Sequence, residues 1–573
     1  MHLGRGDAGA AVVLVDRDAS PAPADAAPAL PTVDEREPND TLPQAQPLEP
    51  GRAVRGFMHA SQAKRGDVDL YRLTLPVAAA PGAPGAPPVP PPTPRFAPFP
   101  GLARGLGSQP ASQPAPRPAQ VDRTLVAVQL TGVPGVDLVL EVLDGNGELL
   151  LGVNDGKAGA GESIPNLGLA AGTYYVRVRQ LGKKPVADET HPYLLTVTAG
   201  PLGPGEEIEP NDKPAWATEL LPGAEVTGFL GWRKDEDWYR VPLTASPEAG
   251  TLRVDYQGVA GVAASVTVVD SIQTKIAEAK GGRGERVALR NVALKQGEPA
   301  VFVVLRSLGG RSAELRYSLR VAIDLPGEPT EIEPNDDRAH ATPLAGAGGA
   351  LAGYLAAPGD VDWFRLTSDA PVLARVEVTC PERVDLKLAV HDQNGVELGR
   401  VDEGGRREPE VLVNVPVKGT VFVRVYGRPG DANPDEPYRL TWKLEPDDGT
   451  VEHEPNNTPA QANPLPPAGV VQGTIYPRGD ADLFRLNAPP DRAATLRATI
   501  GPIPKVRLTA TLYEAPESGG LGAPVAEAKG PAEGDRVLVA PLQPGKSYLI
   551  QVRDASGKVA NPRDSYSLRV VLE

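Results

Sequence analysis

Leu351-Ala-Gly-Tyr-Leu355, Trp363-Phe-Arg-Leu366, Val372-Leu-Ala-Arg-Val-Glu-Val378, Leu386-Lys-Leu-Ala-Val390, Val411-Leu-Val413, Val421-Phe-Val-Arg-Val425 and Tyr438-Arg-Leu-Thr-Trp442 are seven short runs rich in β-branched and aromatic residues. Several alternate apolar with polar side chains, the period-2 pattern of a strand with one buried face. The turn Asp392-Gln-Asn394-Gly395 has a counterpart in Asp144-Gly-Asn146-Gly147. Asn-Gly is favoured in hairpins because both central residues take positive φ. Helical periodicity is nearly missing from the chain, which carries 64 prolines and 62 glycines in 573 residues. The expected class is all-β, and seven or eight strands per domain-sized stretch imply two sheets packed face to face, a β-sandwich or jelly roll.

The same stretch recurs. It opens on Glu331-Ile-Glu333-Pro334-Asn335-Asp336, matched by Glu35-Arg-Glu37-Pro38-Asn39-Asp40, Glu207-Ile-Glu209-Pro210-Asn211-Asp212 and Glu452-His-Glu454-Pro455-Asn456-Asn457. A second signature follows each: Asp67-Val-Asp69-Leu-Tyr71-Arg72, Asp235-Glu-Asp237-Trp-Tyr239-Arg240, Asp360-Val-Asp362-Trp-Phe364-Arg365 and Asp480-Ala-Asp482-Leu-Phe484-Arg485. Closing strands begin at Tyr193, Tyr317, Tyr438 and Tyr566. Successive openings are 172, 124 and 121 residues apart, the size of independent domains rather than of solenoid units. The reading is four tandem β-sandwich domains, 34–199, 206–324, 330–445 and 451–573, joined by short linkers. A disordered tail is expected over 1–33. The long first spacing is assigned to a Pro-rich loop inserted at about 79–120, whose composition buries too little apolar surface to offset its ordering entropy.

Net charge is −15, and the motif carboxylates alone exceed it, so the acidity is concentrated in the repeated motifs. No basic cluster suggests nucleic acid. A single cysteine, Cys380, excludes an intrachain disulfide framework. No segment reaches the roughly 20 apolar residues needed to cross a bilayer as a helix. The apolar run Ala8 to Val15 is at the short limit of a signal-peptide core and lacks a clear cleavage site. Either a signal is absent or the start lies inside a longer gene, and the second is the expectation.

In an extended segment, residues two apart point the same way, so Glu207, Glu209 and Asn211 offer their oxygens on one side. Pro210 lacks an N–H and suits an edge position. With Asp212, and with Asp235 and Asp237 packed beside them, six oxygen-bearing side chains carry five negative charges. Carboxylates brought that close repel unless a cation compensates, and hard oxygens without Cys or His match calcium, at one or two ions per domain. The alternative is plain: Asn and Asp after Pro are common turn formers, and Asp beside Gly66, Gly359 or Gly479 simply starts a strand. The candidate metal ligands are Glu35, Glu37, Asn39, Asp40, Asp67 and Asp69; Glu207, Glu209, Asn211, Asp212, Asp235 and Asp237; Glu331, Glu333, Asn335, Asp336, Asp360 and Asp362; Glu452, Glu454, Asn456, Asn457, Asp480 and Asp482. Asn457 replaces an aspartate, so the fourth site is expected to be weaker or to hold one ion. Alternation places Tyr239 and Val241 in the core and Trp238 and Arg240 on the outer face, where guanidinium can stack on indole.

These motifs, with the strands Val54-Arg-Gly56, Val226-Thr-Gly228, Leu351-Ala-Gly353 and Val471-Gln-Gly473 and with Gly172-Thr-Tyr-Tyr-Val-Arg-Val178, resemble the bacterial pre-peptidase C-terminal domain. The resemblance covers nearly everything after about Asp34. Domains of that family are β-sandwiches appended to secreted proteases and other exported proteins. Relatives in clostridial collagenases bind calcium through the opening segment and bind collagen. The resemblance therefore implies an extracytoplasmic protein, secreted, periplasmic or on the cell surface, with the residues above as calcium ligands. Collagen binding does not carry over, because no matching aromatic patch can be assigned.

The chain has no HExxH, GxSxG or CxxC, and its six histidines fall at unrelated repeat positions. Carboxylates two residues apart in a turn do not form the opposed pair of a glycosidase. The expected function is a non-catalytic, calcium-stabilised binding or spacer protein. The rivals are an adhesin for extracellular polysaccharide or matrix protein and an accessory subunit of a separately encoded secreted peptidase.

Overall fold

The structure is a computed structural model that describes residues 30–60, 66–76, 123–182, 186–243, 250–325, 327–465, 469–516, 519–528 and 533–573. The expected tail over 1–33 falls almost wholly outside the described residues, and the Pro-rich loop at about 79–120 entirely so. Among the described residues the elements are strands and two single turns of 3-10 helix, as the all-β reading expects. The chain forms two compact units, one extending to Leu202 and the other running from Gly203 to Glu573.

In the first unit, Thr32–Asp34, Ala53–Met58, Asp188–Pro201, Arg123–Leu130 and Glu162–Ala170 lie side by side in that order. A second sheet orders Gln46–Leu48, Val68–Leu75, Gly172–Gln180, Leu138–Leu143 and Leu149–Val153.

The second unit repeats this plan. One sheet of its first repeat holds Glu225–Leu230, Ser312–Asp324, Thr251–Gln257 and Val287–Ala293; the other holds Thr218–Glu219, Glu236–Pro242, Ala300–Gly309, Ala263–Val269 and Lys275–Gly281. Val226, Val254 and Leu319 of one sheet share a single buried core with Tyr239, Val266 and Val303 of the other. Alternation explains the layering, since every second side chain of Thr251–Gln257 is buried. The last repeat likewise pairs Gly469–Gly473, Tyr566–Leu572, Ala494–Ile500 and Arg536–Leu542 in one sheet.

The middle repeat departs from its seven expected strands in two ways. Val361–Thr379 and Glu410–Tyr426 are continuous and absorb four of the expected runs into two long strands of a seven-stranded sheet. The connection at Asp369-Ala-Pro371 is too short to end the pairing, which resumes after a register shift between Ser368 and Val372. A further strand, Glu397–Val401, pairs with Lys387–Asp392; Gly399 at its centre weakens its apolar pattern.

The expected stacking of Arg240 on an outer-face Trp238 is also corrected. Tyr239 and Val241 are buried as expected, but Trp238 is buried too, edge-on to Phe302 at 5.9 Å, in a small cluster with Ala217 and Val304. Arg240 instead pairs with Glu219. In the middle repeat the guanidinium over Trp363 belongs to Arg424 on the neighbouring strand.

Candidate metal centre

Each acidic opening runs parallel to the Val/Leu-x-Gly strand of its own repeat. Glu35 N–H donates to Arg55 O at 3.0 Å, Glu207 N–H to Thr227 O at 3.0 Å, Glu331 N–H to Ala352 O at 2.9 Å and Glu452 N–H to Gln472 O at 2.9 Å. The Glu–Pro bond that follows is cis in all four copies. The segment then reaches the other sheet: the Asn211 carbonyl accepts from Trp238 N–H and the Asn335 carbonyl from Trp363 N–H. Thr218–Glu219 next pairs in parallel with Tyr239–Arg240. The opening therefore crosses from one sheet edge to the other, past the Asp-x-Asp strand.

This path brings the expected oxygens together. In the second repeat, oxygens of Glu207, Glu209 and Asp237 lie within 4.8 Å of one another, as do oxygens of Glu209, Asp212 and Asp235. Glu209 belongs to both groups. Glu37, Asp67 and Asp69 form such a group in the first repeat, and Glu331, Glu333 and Asp362 in the third. The fourth motif position differs. Asp40, Asp336 and Asn457 are exposed at the rim and Asp212 is half-buried. Asp212 accepts Glu236 N–H at 3.3 Å and Asn457 accepts Ala481 N–H at 2.8 Å, so this position caps the Asp-x-Asp strand.

The buried carboxylates are held by backbone N–H groups, and the first glutamate of each of the last three repeats is held by both oxygens, since Glu207 Oε1 also accepts Asn211 Nδ2, Glu331 Oε2 the Tyr438 hydroxyl and Glu452 Oε2 Asn456 Nδ2. Glu207 accepts Phe229 N–H at 2.8 Å, Glu209 accepts Asn211 N–H at 2.7 Å and Asp235 accepts Gly231 N–H at 2.5 Å. The equivalent bonds recur at Glu331 from Tyr354, Glu333 from Asn335 and Asp360 from Ala356, and at Glu452 from Thr474, Glu454 from Asn456 and Asp480 from Tyr476. The second oxygen is often left over. Glu209 Oε1, Asp235 Oδ1, Asp237 Oδ1 and Asn211 Oδ1 are buried with no hydrogen-bond partner. The same is true of Asn39 Oδ1 and Asp69 Oδ1, of Asn335 Oδ1 and Asp362 Oδ1, and of Asn456 Oδ1, Asp482 Oδ1 and Glu454 Oε1. Buried polar atoms are ordinarily paired, so the same orphans recurring in four copies require an explanation.

The sequence reading missed three participants. The tyrosine of each closing strand, inside Asp188–Pro201 and Ser312–Asp324 and at the start of the strands of the last two repeats, is fully buried and donates to the second aspartate: Tyr193 to Asp69 at 2.5 Å, Tyr317 to Asp237 at 2.6 Å, Tyr438 to Asp362 at 2.5 Å and Tyr566 to Asp482 at 2.6 Å. The Val/Leu-x-Gly glycine makes room for it. A Cβ at Gly353 would lie 2.4 Å from the Tyr438 hydroxyl and 2.5 Å from Glu331 Oε2, and Gly473 is confined in the same way by Tyr566 and Glu452. Their recurrence in register was the available signal. His59 also joins the first cluster, with Nε2 3.1 Å from Glu35 Oε1.

Uncompensated, these groups resist ionisation. Burial first, then neighbouring carboxylates, push Asp69, Glu209, Asp235, Asp237, Asp362 and Asp482 well above the ordinary range. Burial and nearby carboxylates raise Glu331 to about 8, Glu333 to about 9, and Asp360 and Asp480 to about 7. A divalent cation would reverse that balance. The donor set fits calcium: ligands at about 2.3 to 2.6 Å from a shared ion are at most about 4.6 to 5.2 Å apart, and the set is all-oxygen apart from His59.

No family model and no curated protein matches the sequence. Among solved structures, a fucolectin from striped bass (Morone saxatilis) serum is 12% identical, covering 39% of this chain and 84% of its own, with a TM-score of 0.12. Dimeric latent PorU from Porphyromonas gingivalis is 10% identical over 56% of this chain and 33% of its own, with a TM-score of 0.13. The lipid-containing bacteriophage PM2 is 10% identical over 61% of this chain and all of its own, with a TM-score of 0.11. Similarity at this level carries no argument.

Proposed function

We propose that the protein is a non-catalytic, extracytoplasmic array of four β-sandwich domains of the pre-peptidase C-terminal type, stiffened by calcium and serving as a surface or periplasmic binding or spacer protein. The observation that carries the cation is the recurring division of labour between oxygens: one tied to a backbone N–H or tyrosine hydroxyl, the other buried and orphaned. An ion accepting those orphans would tie the chain leading into each domain to both of its sheets. Extracellular modules bind calcium at about 10⁻⁴ to 10⁻³ M, so the array would be stiff outside a cell and looser where calcium is scarce.

Sandwich domains, rather than stacked solenoid coils, are favoured by the pairing. Ladders within each repeat are mostly antiparallel, whereas Val292 and Glu333 meet across a repeat boundary by an isolated bridge. Two shared oxygen groups at Glu209 favour two ions in the second repeat. The test is calorimetric titration of calcium into the chain, with the melting temperature compared in calcium and in chelator. Binding heat with several ions per chain and a raised melt are expected. An absence of heat and an unchanged melt would remove the cation and the mechanical role together.

A further inference from the structure

Two asparagines reach out of one repeat into the acidic cluster of the next. Asn291 lies in the strand Val287–Ala293, yet its Nδ2 donates to Glu331 Oε1 at 3.3 Å and its carbonyl accepts Glu333 N–H at 2.9 Å. Asn414, in Glu410–Tyr426, donates from Nδ2 to Glu452 Oε1 at 3.0 Å, and its carbonyl accepts Glu454 N–H at 3.0 Å. Both are left-handed, with φ of +50° and +54°. Both sit at register shifts, opposite the Leu252/Val254 and Ala374/Val376 irregularities of the partner strand. A bulge of this kind turns a side chain away from the alternation of its strand. Asparagine tolerates the left-handed backbone better than other residues with a side chain.

The last repeat lacks the device. Its corresponding strand, Arg536–Leu542, pairs with Ala494–Ile500 without any shift: Leu496 faces Ala540 as Leu252 faces Val292, and the single residue Val539 stands where the other repeats have Arg290-Asn291 and Val413-Asn414, so the bulge and its asparagine are absent. Neighbouring contacts recur across the boundaries as well. Arg290 Nε donates to Pro434 O at 2.8 Å and Arg375 Nη1 to Pro562 O at 2.7 Å, each carbonyl lying four residues before a closing tyrosine. A cleft of about 210 Å³ at the boundary between the second and third repeats is lined by Glu333 and Asp360 on one side and Leu289, Arg290 and Val292 on the other, so the third cluster faces the preceding repeat.

We propose that Asn291 and Asn414 are positioning residues supplied in trans: each orients the first glutamate of the next repeat's divalent-cation site and thereby makes cation binding there and docking of the preceding repeat one event. The second, third and fourth repeats are then assembled link by link, each completing the site of its successor, and the unbulged strand Arg536–Leu542 ends the series. The cation is indicated independently of the cluster itself by Asn335 Oδ1 and Asp362 Oδ1, both on fully buried residues and both without a partner. This inference rests on the cation reading above.

The test uses the full chain, with Asn291→Gly and Asn414→Gly made separately, since glycine keeps the left-handed backbone while deleting the amide. Calcium is titrated from a chelated state while hydrogen exchange is followed over 330–335 and 450–456; terbium luminescence counts bound ions. Asn414→Gly should shift the protection midpoint of 450–456 to about tenfold higher calcium, the usual cost of an outer-sphere partner. The segment 330–335 should respond as in the wild type, which also verifies folding. Asn291→Gly should give the converse pattern. Wild-type midpoints in both variants, or equal shifts of both segments, would overturn the coupling while leaving the cation reading standing. A wild-type chain that takes up no ion would remove both.

Discussion

Tyr438 donates its phenolic hydrogen to Asp362 Oδ2 at 2.5 Å, and Asp362 Oδ1 is left buried without a partner in the cluster that Asp362 forms with Glu331 and Glu333. The tyrosine thus decides which oxygen of the aspartate is available. Replacing Tyr438 with Phe deletes a buried hydrogen bond to a charged group and should cost about 1.5 to 3 kcal/mol, read by denaturant unfolding in calcium. A Tyr438→Phe protein as stable as the wild type would mean that the hydroxyl does not hold the site.

Gly353 should tolerate no side chain. Its Cβ would meet the Tyr438 hydroxyl and Glu331 Oε2 at 2.4 and 2.5 Å, both on buried side chains with little room to withdraw. Gly353→Ala is expected to destabilise the chain by about 1 to 3 kcal/mol and to weaken calcium binding in the third repeat. Gly359→Ala, at a left-handed turn with no neighbour within 4 Å, gives the contrasting backbone-only effect. Thermal unfolding and terbium titration separate the two.

Asp362→Asn should change the sign of its effect with calcium. In chelator it removes one of several mutually repelling buried carboxylates and still accepts from Tyr438, so the melting temperature should rise. In saturating calcium it removes a charged ligand, so the stabilisation by calcium should shrink. Parallel melts in chelator and calcium check this, and a fall in both would show that the repulsion is not felt.

The pH dependence follows from Glu333, raised by burial and by Glu331 and Asp360 from an ordinary 4.5 to about 9. Between those values the folded chain binds a proton that the unfolded chain has released. Without calcium, stability should therefore fall as pH rises from about 4.5 towards 9, and Glu331 and Asp360 act in the same sense. Calcium displaces that proton, so its stabilising effect should grow over the same interval. Melting temperatures at pH 5 and pH 8 decide it; a higher chelator melt at pH 8 than at pH 5 contradicts the assignment.

Much of the molecule was legible in one dimension. Alternation in runs such as Val372–Val378 and the repeated openings and Asp-x-Asp pairs indicated an all-β array, and recurrence in register singled out the oxygen donors that the structure gathers. The fourth motif position differs only in space: Asp40, Asp336 and Asn457 look equivalent to buried donors in sequence but lie at the rim, whereas Asp212 is half-buried and joins Glu209 and Asp235. Glu397–Val401 escaped because Gly399 interrupts its pattern, and the fused strands Val361–Thr379 and Glu410–Tyr426 because pairing across a short bend leaves no mark on local periodicity.

By itself the sequence determined the secondary-structure class, the repeats and the kind of atom offered at each site, since these depend on side-chain chemistry and short-range period. Only the tertiary structure decided which oxygen of each carboxylate is tied and which is left, that a tyrosine 76 residues away does part of the tying, and that an asparagine from the preceding repeat does more. Those outcomes turn on one-residue register shifts and on contacts between segments remote in the chain, where a displacement of a single position sends a side chain to the opposite face.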